Sequence, residues 1–303
     1  MEQRYFVGVD GGGTKTALVA LTPEGCEVAS AVCGPLNYNF IGVDAALGNL
    51  QSGIASLELP RGSIAAVGIG DPSIDDTSDS PAAKEFAHRA ADALGVPVHI
   101  RSDAFMTLFA LTGGKKAGVL IISGTGSMAI GENDVHETAV VGGWGRLTGD
   151  EGSGYYIGRE GICAALRAVD GVAPKTALTD AALAHFGMDT PRDLISVFYG
   201  ENEPDVAGFA RHVALRADEG DKVAEAILLD AAAHLCRYAS VLVGRCRADV
   251  LGVWGSVLCK NKTVRRAFEE GVRKQFPHIQ ICEPSISAQH AAALYAAKEE
   301  KGE

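Results

Sequence analysis

The pattern of apolar and polar positions divides the start of the chain into short β-strands. Tyr5–Asp10 (YFVGVD) is an apolar run of β-forming residues that leads directly into three glycines. Residues 14–21 are again β-prone and stop at a turn signal, Thr-Pro-Glu-Gly, after which residues 26–32 continue as a third strand. We therefore predict a three-stranded meander with a glycine turn between its first two strands.

Helices and further strands follow in the same part of the chain. Residues 43–58 place leucine and isoleucine at helical spacing, and residues 81–94 form an alanine-rich helix. Buried-type strands are predicted at 64–69 and 96–100. Because strands and helices alternate after the meander, the first 113 residues are predicted to be one mixed α/β domain.

The opening motif returns in the second half of the chain. Residues 117–123 (AGVLIIS) lead into a second glycine turn, Gly-Thr-Gly-Ser, and residues 128–130 continue as a strand. Two strand–glycine–strand units form a weak internal repeat, which predicts two similar halves. The rest of the second half, 114–303, reads as a helical stretch over 159–247 followed by alternating elements: strands at 249–254 and 278–282, and helices at 262–275 and 287–300.

Composition and charge narrow the function classes. At 303 residues the chain is longer than one hydrophobic core usually accommodates, so two domains are expected. A net charge of -11 argues against nucleic acid as a partner, since a binder needs a basic face. No uninterrupted apolar run approaches the ~18–20 residues of a membrane span. Seven scattered cysteines without a Cys-x-x-Cys pair fit a reducing compartment, so we expect a cytoplasmic protein.

The first glycine motif is a candidate phosphate loop. Gly11, Gly12 and Gly13 let the backbone turn sharply and approach an anion. Asp10 is placed to hold a magnesium ion through water, and Thr14 to donate to a phosphate oxygen. A dinucleotide-binding loop would need a helix after the glycines, and a Walker A loop would need a lysine where Thr14 stands. A plain structural hairpin remains the alternative, but the recurrence of the motif favours a pair of phosphate hairpins.

Asp103 is the candidate catalytic base. It follows the predicted strand 96–100, at a carboxyl end where open α/β sheets bind their ligands. Phosphoryl transfer to an alcohol needs a carboxylate that orients the hydroxyl and accepts its proton. The alternative is an N-cap for the helix predicted over 104–112. The sequence leaves both roles open.

Two further glycine-rich segments carry polar or aromatic residues. Gly143-Trp144-Gly145 precedes Asp150, which either faces a ligand or caps a helix that begins near Ser153. The tryptophan is either part of the core or the wall of a sugar pocket. In the last third of the chain, Gly255-Ser256 ends a strand before a helix, a turn that suits a purine but is common in α/β proteins.

These motifs together resemble the BadF/BadG/BcrA/BcrD-type ATPases and, within them, the N-acetylglucosamine kinases. The matching text is VGVDGGGTKT, LNYNFIG, RSDA, IISGTGS, GGWGRLTGDEGSGYYIG, AGFA and GSV, which spans nearly the whole chain. The resemblance implies two actin-like (ribonuclease H-like) domains, each with a five-stranded mixed sheet, hinged over a cleft that holds ATP. It also implies phosphorylation of an amino sugar at the 6-hydroxyl with Mg²⁺.

The resemblance also implies roles for individual positions. Asp10 is similar to the residue that faces magnesium through water, and Asp103 to the base that acts on the sugar. The phosphate and nucleotide contacts implied are Gly11, Gly12, Gly13, Thr14, Lys15, Thr125, Gly126, Ala207, Gly255 and Ser256. The sugar contacts implied are Asn37, Asp103, Ser127, Met128, Gly143, Trp144, Gly145 and Asp150.

The chain departs from the family pattern at two places. Met128 stands where mammalian-type enzymes have an asparagine, and Gly68–Ser73 (GIGDPS) replaces the usual small-residue loop. Both departures leave glucosamine as an alternative to N-acetylglucosamine. An ATPase activator or sensor that phosphorylates no small molecule is the second alternative. The family implies a homodimer, and the pattern leaves open whether the helix at 287–300 packs back on the first domain.

Overall fold

A computed structural model describes residues 4–78 and 80–302 and divides the chain into two compact units. The first unit comprises Met1–Gly118, Glu132–Ala139 and Glu283–Glu303. The second unit comprises Val119–Gly131 and Val140–Cys282. The chain therefore returns to the first unit at its C-terminal end.

The first sheet contains five strands in the order β3-β2-β1-β4-β5. Its strands are β1 Tyr5–Asp10, β2 Thr16–Leu21, β3 Glu27–Cys33, β4 Ile64–Gly70 and β5 Val98–Arg101. β1 pairs antiparallel with β2 and parallel with β4, and β4 pairs parallel with β5. The mixed sheet and the meander are as the sequence predicts. The predicted start of the second strand at residue 14 was wrong by two residues, because Gly13, Thr14 and Lys15 form an exposed turn.

The second sheet also contains five strands, in the order β10-β9-β6-β7-β8. Its strands are β6 Gly118–Ser123, β7 Ser127–Glu132, β8 Thr138–Gly142, β9 Val250–Trp254 and β10 Gln280–Cys282. The two sheets have the same order of strands, because β8-β7-β6 in the second sheet corresponds to β3-β2-β1 in the first. The sequence analysis missed β8, whose residues are all only half-buried and run into the glycine-rich segment.

Twelve α-helices flank the sheets in the described part of the chain. They are α1 Tyr38–Ile41, α2 Val43–Ala55, α3 Pro81–Leu94, α4 Asp103–Thr112, α5 Gly154–Val169, α6 Leu178–Phe186, α7 Leu194–Phe198, α8 Val206–Asp218, α9 Lys222–Cys246, α10 Ser256–Lys260, α11 Lys262–Gln275 and α12 Ala288–Lys301. A short 3₁₀ helix, Pro191–Asp193, precedes α7.

The last helix, α12, packs directly on the first sheet. It contacts β1, β4 and α4, and its alanines join a core that includes Phe6 and Val19. Glycines in the strands permit this close approach, because a Cβ on Gly8 would lie 1.8 Å from the carbonyl oxygen of Gln289. A Cβ on Gly68 would lie 2.0 Å from the carbonyl oxygen of Ala292. Glycines in the strands and alanines in the helix therefore allow α12 to pack closely on the sheet.

The longest helix, α9, is apolar along much of its length. By length and composition alone it is long and apolar enough to cross a membrane. The sequence analysis did not identify it as such, because Asp230 and Arg237 interrupt its apolar residues. The core helix of a folded domain meets the same criteria. Here α9 packs on α8 and α11, and residues such as Leu228, Leu235 and Leu242 are fully buried.

Candidate functional site

The glycine turn after β1 has an open tip. The N–H of Gly11 donates to the carbonyl oxygen of Gly70 (2.7 Å), which fixes the turn to the end of β4. A Cβ on Gly12 would lie 2.5 Å from the carbonyl oxygen of Lys15, whereas a Cβ on Gly13 would meet nothing within 4 Å. The turn is therefore tight at its base and free above its tip, where an anion can approach the backbone.

Asp10 lies at the base of this turn as the last residue of β1. Its carboxylate is half-buried and, within residues 4–78 and 80–302, forms no ion pair with a lysine or arginine. Burial raises the pKa of the Asp10 carboxyl. A carboxylate oxygen is a ligand that Mg²⁺ prefers, so Asp10 fits the implied metal role.

Asp103 is the first residue of α4, immediately beyond β5. The helix is capped by Ser102, whose hydroxyl accepts from the N–H of Phe105 (2.9 Å). The N-cap alternative for Asp103 was therefore wrong. The carboxylate of Asp103 accepts from the N–H of Ala104 (2.7 Å). Burial raises the pKa of the Asp103 carboxyl, and the negative charges of Asp10 and of two further aspartates raise it more.

One of those two aspartates is Asp76, which the sequence analysis did not single out. Its carboxylate accepts from the N–H of Ser102 (3.2 and 3.3 Å) and forms an ion pair with Arg101 (2.7 Å). Its side chain is almost fully buried, and the guanidinium of Arg101 lies over the ring of Phe105, 3.4 Å from the centroid. Asp76 thus holds the turn that carries Asp103. The run of aspartates at 71–76 was the available signal.

Asn37 is buried beside the glycine turn. The N–H of Leu36 donates to the carbonyl oxygen of Gly12 (3.1 Å), and the side-chain oxygen of Asn37 accepts from the N–H of Asn39 (3.2 Å) as the cap of α1. The predicted site residues of the first unit therefore lie at one edge of its sheet. Asp10 ends β1, Asp103 follows β5, and the glycine turn is bonded to the end of β4. Asn37 lies in a loop that is bonded to the glycine turn.

The second glycine turn, Gly124–Ser127, is anchored by backbone hydrogen bonds. The N–H groups of Gly154 and Tyr155 donate to the carbonyl oxygens of Gly124 (2.7 Å) and Thr125 (3.1 Å). Gly255 packs against the same turn with a positive φ of 94°, and a Cβ there would lie 2.3 Å from the carbonyl oxygen of Ser123. Only glycine fits this position, because it combines a left-handed backbone with a close approach.

A cavity of about 730 Å³ in the second unit brings several predicted nucleotide contacts together. Thr125, Ala207 and Ser256 all line it, although they lie far apart in the sequence. Polar side chains that the sequence analysis missed complete its wall: Arg211, Asp218, Lys260 and Asn261. Charged side chains on helices carry no local motif, so no sequence signal identified them.

The predicted sugar contacts of the second unit also converge. The N–H of Gly143 donates to the carbonyl oxygen of Ser127 (3.1 Å), and the N–H of Ser127 donates to the carboxylate of Asp150 (3.1 Å). A Cβ on Gly143 would lie 3.4 Å from the Cβ of Met128. Trp144 is 77% exposed, so the core alternative for this residue was wrong.

Asp150 has an unusual backbone and no capping role. Its φ is +59°, a left-handed conformation that costs a non-glycine residue about 1–3 kcal/mol and often marks functional sites. Helix α5 is capped by Ser153, whose hydroxyl accepts from the N–H of Tyr156 (3.0 Å), so the capping alternative for Asp150 was wrong. Its carboxylate instead fixes the backbone of Ser127.

Tyr238 of α9 supports this turn, and the sequence analysis missed it. The hydroxyl of Tyr238 donates to the carboxylate of Glu151 (2.5 Å), and the hydroxyl of Ser127 donates to the carbonyl oxygen of Glu151 (2.8 Å). The hydrogen bond from Tyr238 lowers the pKa of the Glu151 carboxyl. The ring of Tyr238 would meet a Cβ on Gly142 at 2.7 Å, so Gly142 must lack a side chain.

The chain is similar to known proteins over nearly its whole length. An N-acetyl-D-glucosamine kinase of Dictyostelium discoideum is 31% identical and covers 95% of this chain and 97% of its own. An N-acetylmuramic acid/N-acetylglucosamine kinase of Clostridium acetobutylicum is 30% identical, with 98% and 99% covered. A crystal structure from Chromobacterium violaceum, of a protein proposed to be an N-acetylglucosamine kinase, has a TM-score of 0.73 at 24% identity and covers 97% of this chain and 99% of its own.

The two five-stranded mixed sheets with flanking helices match the actin-like sugar kinase fold, as predicted. The model of the BadF/BadG/BcrA/BcrD ATPase family matches residues 7–297, which is nearly the whole described chain. This chain belongs to the BadF/BadG/BcrA/BcrD ATPase family.

Proposed function

We propose that this protein transfers the γ-phosphate of ATP to the 6-hydroxyl of an amino sugar, N-acetylglucosamine. The observation that carries the proposal is the placement of Asp103. It stands beyond a strand end beside the glycine turn and Asp10, and Ser102 performs the helix capping in its place. A half-buried carboxylate at such an edge has the chemistry of a general base for an alcohol. The names of the relatives in Dictyostelium and Clostridium support the same activity.

Each unit contributes a different part of the reaction in this proposal. In the second unit, the cavity lined by Thr125, Ala207 and Ser256 binds the nucleotide. In the first unit, the glycine turn binds phosphate oxygens, and Asp103 orients the sugar hydroxyl and accepts its proton. Positioning and electrostatic stabilisation supply most of the acceleration, and the general base adds about 10²–10⁴-fold.

Mg²⁺ is part of the proposal and suits the residues present. Asp10 offers a half-buried carboxylate with no protein cation beside it in the described part of the chain. When bound, Mg²⁺ would neutralise phosphate charge. The remaining ligands of such an ion are usually phosphate oxygens and water rather than a protein cage.

Glucosamine is a second candidate substrate, favoured by a specific observation. Met128 lies against Gly143 at the predicted sugar side and offers no polar group to an acetamide. A glucosamine kinase of Vibrio cholerae is 29% identical over 76% of this chain. The homodimer and the cytoplasmic compartment stay predictions from the sequence, and gel filtration with light scattering tests the first.

The test is an ADP-release assay with N-acetylglucosamine, glucosamine, N-acetylmannosamine and glucose. We expect sugar-dependent ADP release with an amino sugar and little release without one. Asp103→Asn should lower kcat by about 10²–10⁴-fold and leave ATP binding nearly unchanged. Asp75→Asn is the matched control, because Asp75 is an exposed aspartate that bonds only within its own turn. ATP hydrolysis indifferent to every sugar would overturn the proposal in favour of an activator or sensor.

A further inference from the structure

A buried carboxylate lies beside the proposed base in the first unit, and one of its two oxygens lacks a hydrogen-bond partner in the described part of the chain. Asp71 follows β4 and is completely buried. Its Oδ1 atom accepts hydrogen bonds from the N–H of Ser73 (2.8 Å) and from the Ser73 hydroxyl. Its Oδ2 atom is buried and has no hydrogen-bond partner among residues 4–78 and 80–302. A buried polar atom without a partner costs about 1–3 kcal/mol, and more when charged, so this oxygen calls for a ligand.

The position of Asp71 ties it to the sugar side of the first unit. Its N–H donates to the carbonyl oxygen of Arg101 (3.0 Å), the residue two before Asp103. Ser73, which holds its carboxylate, and Asp71 itself both lie near enough to the hydroxyl of Tyr38 to act on it, and Tyr38 follows Asn37. Asp71 therefore stands within the group formed by Asn37 and Asp103, the two sugar contacts predicted in this unit.

The charges around Asp71 favour a cationic ligand over a neutral one. The negative charges of Asp10, Asp71 and Asp76 all act on the carboxylate of Asp103 here. In the described part of the chain, one guanidinium forms an ion pair with any of these aspartates: that of Arg101, which is already bound by Asp76 and covered by Phe105. Burial raises the pKa of the Asp71 carboxyl, the expected response of a carboxylate that lacks a partner cation.

We infer that Asp71 is a specificity-determining residue that binds the protonated 2-amino group of a free amino sugar such as glucosamine. The inference rests on the proposed sugar kinase activity and adds the discrimination at carbon 2 of the sugar. In the complex the carboxylate turns so that Oδ2 faces the ammonium group. An ammonium donates up to three hydrogen bonds and carries a positive charge, whereas an acetamide is neutral and its oxygen would face a carboxylate.

Three sugars that differ only at carbon 2 test the inference. Glucosamine carries an ammonium group there, N-acetylglucosamine an acetamide and glucose a hydroxyl. For the wild-type protein we expect kcat/KM for glucosamine to exceed that for glucose by at least about tenfold. Asp71→Asn keeps the shape and the Ser73 bonds but removes the charge, and it should lower kcat/KM for glucosamine by about 10–100-fold. The same variant should change the values for the two neutral sugars by less than about threefold.

Matched variants and binding measurements separate a specific effect from a folding defect. Asp75→Asn changes an aspartate of the same loop whose carboxylate accepts from the N–H of Thr77 in its own turn. This variant should leave kcat/KM for all three sugars unchanged. ATP affinity of Asp71→Asn should stay at the wild-type value, and its melting temperature should be no lower than that of the wild-type protein, because the substitution removes a buried charge. If that variant folds poorly, calorimetric titration of the wild-type protein still decides, because glucosamine must bind more tightly than glucose.

The outcomes divide cleanly. Selective loss of glucosamine turnover in Asp71→Asn supports the inference. An equal loss for all three sugars overturns it and assigns Asp71 a purely structural role in the 71–76 turn. A wild-type protein that phosphorylates N-acetylglucosamine but discriminates against glucosamine overturns it while leaving the proposed function intact. A protein that phosphorylates none of the three overturns the proposed function, and this inference with it.

Discussion

At the residue scale, the protonation of Asp103 should set the acid limit of activity. Its carboxyl is half-buried and lies near the charges of Asp10, Asp71 and Asp76, so desolvation and these charges hold its pKa above the ordinary value of about 3.9. As the pH falls through the raised pKa, the base takes up a proton and is lost. We expect kcat/KM to fall about tenfold per pH unit below that point.

A pH series of the ADP-release rate measures this fall in activity at low pH, the acid limb of the profile. Asp103→Asn should retain a low residual rate without the acid limb, because no carboxyl remains to titrate at that position. The same substitution removes a charge whose burial is unfavourable, so the variant should be at least as stable as the wild-type protein near neutral pH. An acid limb that persists unchanged in the variant would assign it to another group.

Also at the residue scale, Gly255 should tolerate no side chain. Alanine there would have to adopt φ near +94° and place its Cβ 2.3 Å from the carbonyl oxygen of Ser123. The backbone at Ser256 must then move, and the strain alone costs about 1–3 kcal/mol. Gly255→Ala should therefore raise the KM for ATP by at least about tenfold and lower the melting temperature.

The matched control for that substitution is Gly244→Ala. Gly244 lies inside α9, where a Cβ would meet nothing within 4 Å. Alanine favours a helix over glycine by about 0.5–1 kcal/mol, so this variant should be slightly more stable and fully active. A KM for ATP that stays at the wild-type value in Gly255→Ala would show that its turn does not shape the nucleotide cavity.

At the element scale, helix α9 should stabilise the turn that contains Asp150. Tyr238 of this helix donates to Glu151, and Glu151 in turn receives the hydroxyl of Ser127. Tyr238→Phe keeps the ring beside Gly142 and removes only the hydrogen bond. Because Glu151 is partly exposed, the loss of stability should be about 1 kcal/mol, below the value for a fully buried bond to a charge.

The kinetic effect of Tyr238→Phe should fall on the sugar. We expect its KM for the amino sugar to rise about 3–10-fold and its KM for ATP to stay the same, since the turn faces the predicted sugar contacts. Tyr199→Phe is the control, because Tyr199 is almost fully exposed and the change should leave both constants unaltered. Equal increases in both constants would point to general loosening of the second unit.

Local elements were predictable from the sequence at this scale. The strand β1, the helix α3 and the helix α11 have the predicted bounds, because each depends on nearby periodicity and on a local start or stop signal. The strand β8 was missed since its half-buried residues give neither an apolar run nor a clean alternation. Its assignment depends on pairing with β7, which is a non-local fact.

The same distinction separates the predicted site residues from the missed ones. Glycine turns at strand ends are visible in the sequence, whereas the contact with Ser123 that requires glycine at 255 is not. Asp76, Glu151 and Tyr238 act through partners that are distant in sequence or hidden in the fold. A helix surface such as that of α9 carries no motif that marks one tyrosine as structural support for a turn.

At the scale of the whole molecule, the protein should take up its metal together with the nucleotide. Across residues 4–78 and 80–302, no group of three or more histidine, cysteine, aspartate or glutamate side chains could hold a metal ion. A single carboxylate such as Asp10 binds Mg²⁺ weakly, and the phosphates of ATP supply the other ligands. Chelation with EDTA should therefore abolish sugar phosphorylation, and added Mg²⁺ should restore it fully.

The melting temperature distinguishes this behaviour from that of a metalloprotein. Without nucleotide, EDTA should leave the melting temperature unchanged, because the described residues form no cluster that could hold a structural ion. With Mg²⁺ and ATP together it should rise, since a ligand that binds only the folded state stabilises it in proportion to its saturation. ATP with EDTA should give a smaller rise, and Asp10→Asn should reduce the difference between the two conditions. A fall in melting temperature on chelation of the nucleotide-free protein would instead reveal a structural metal and contradict the assignment of Asp10 to the nucleotide-bound ion.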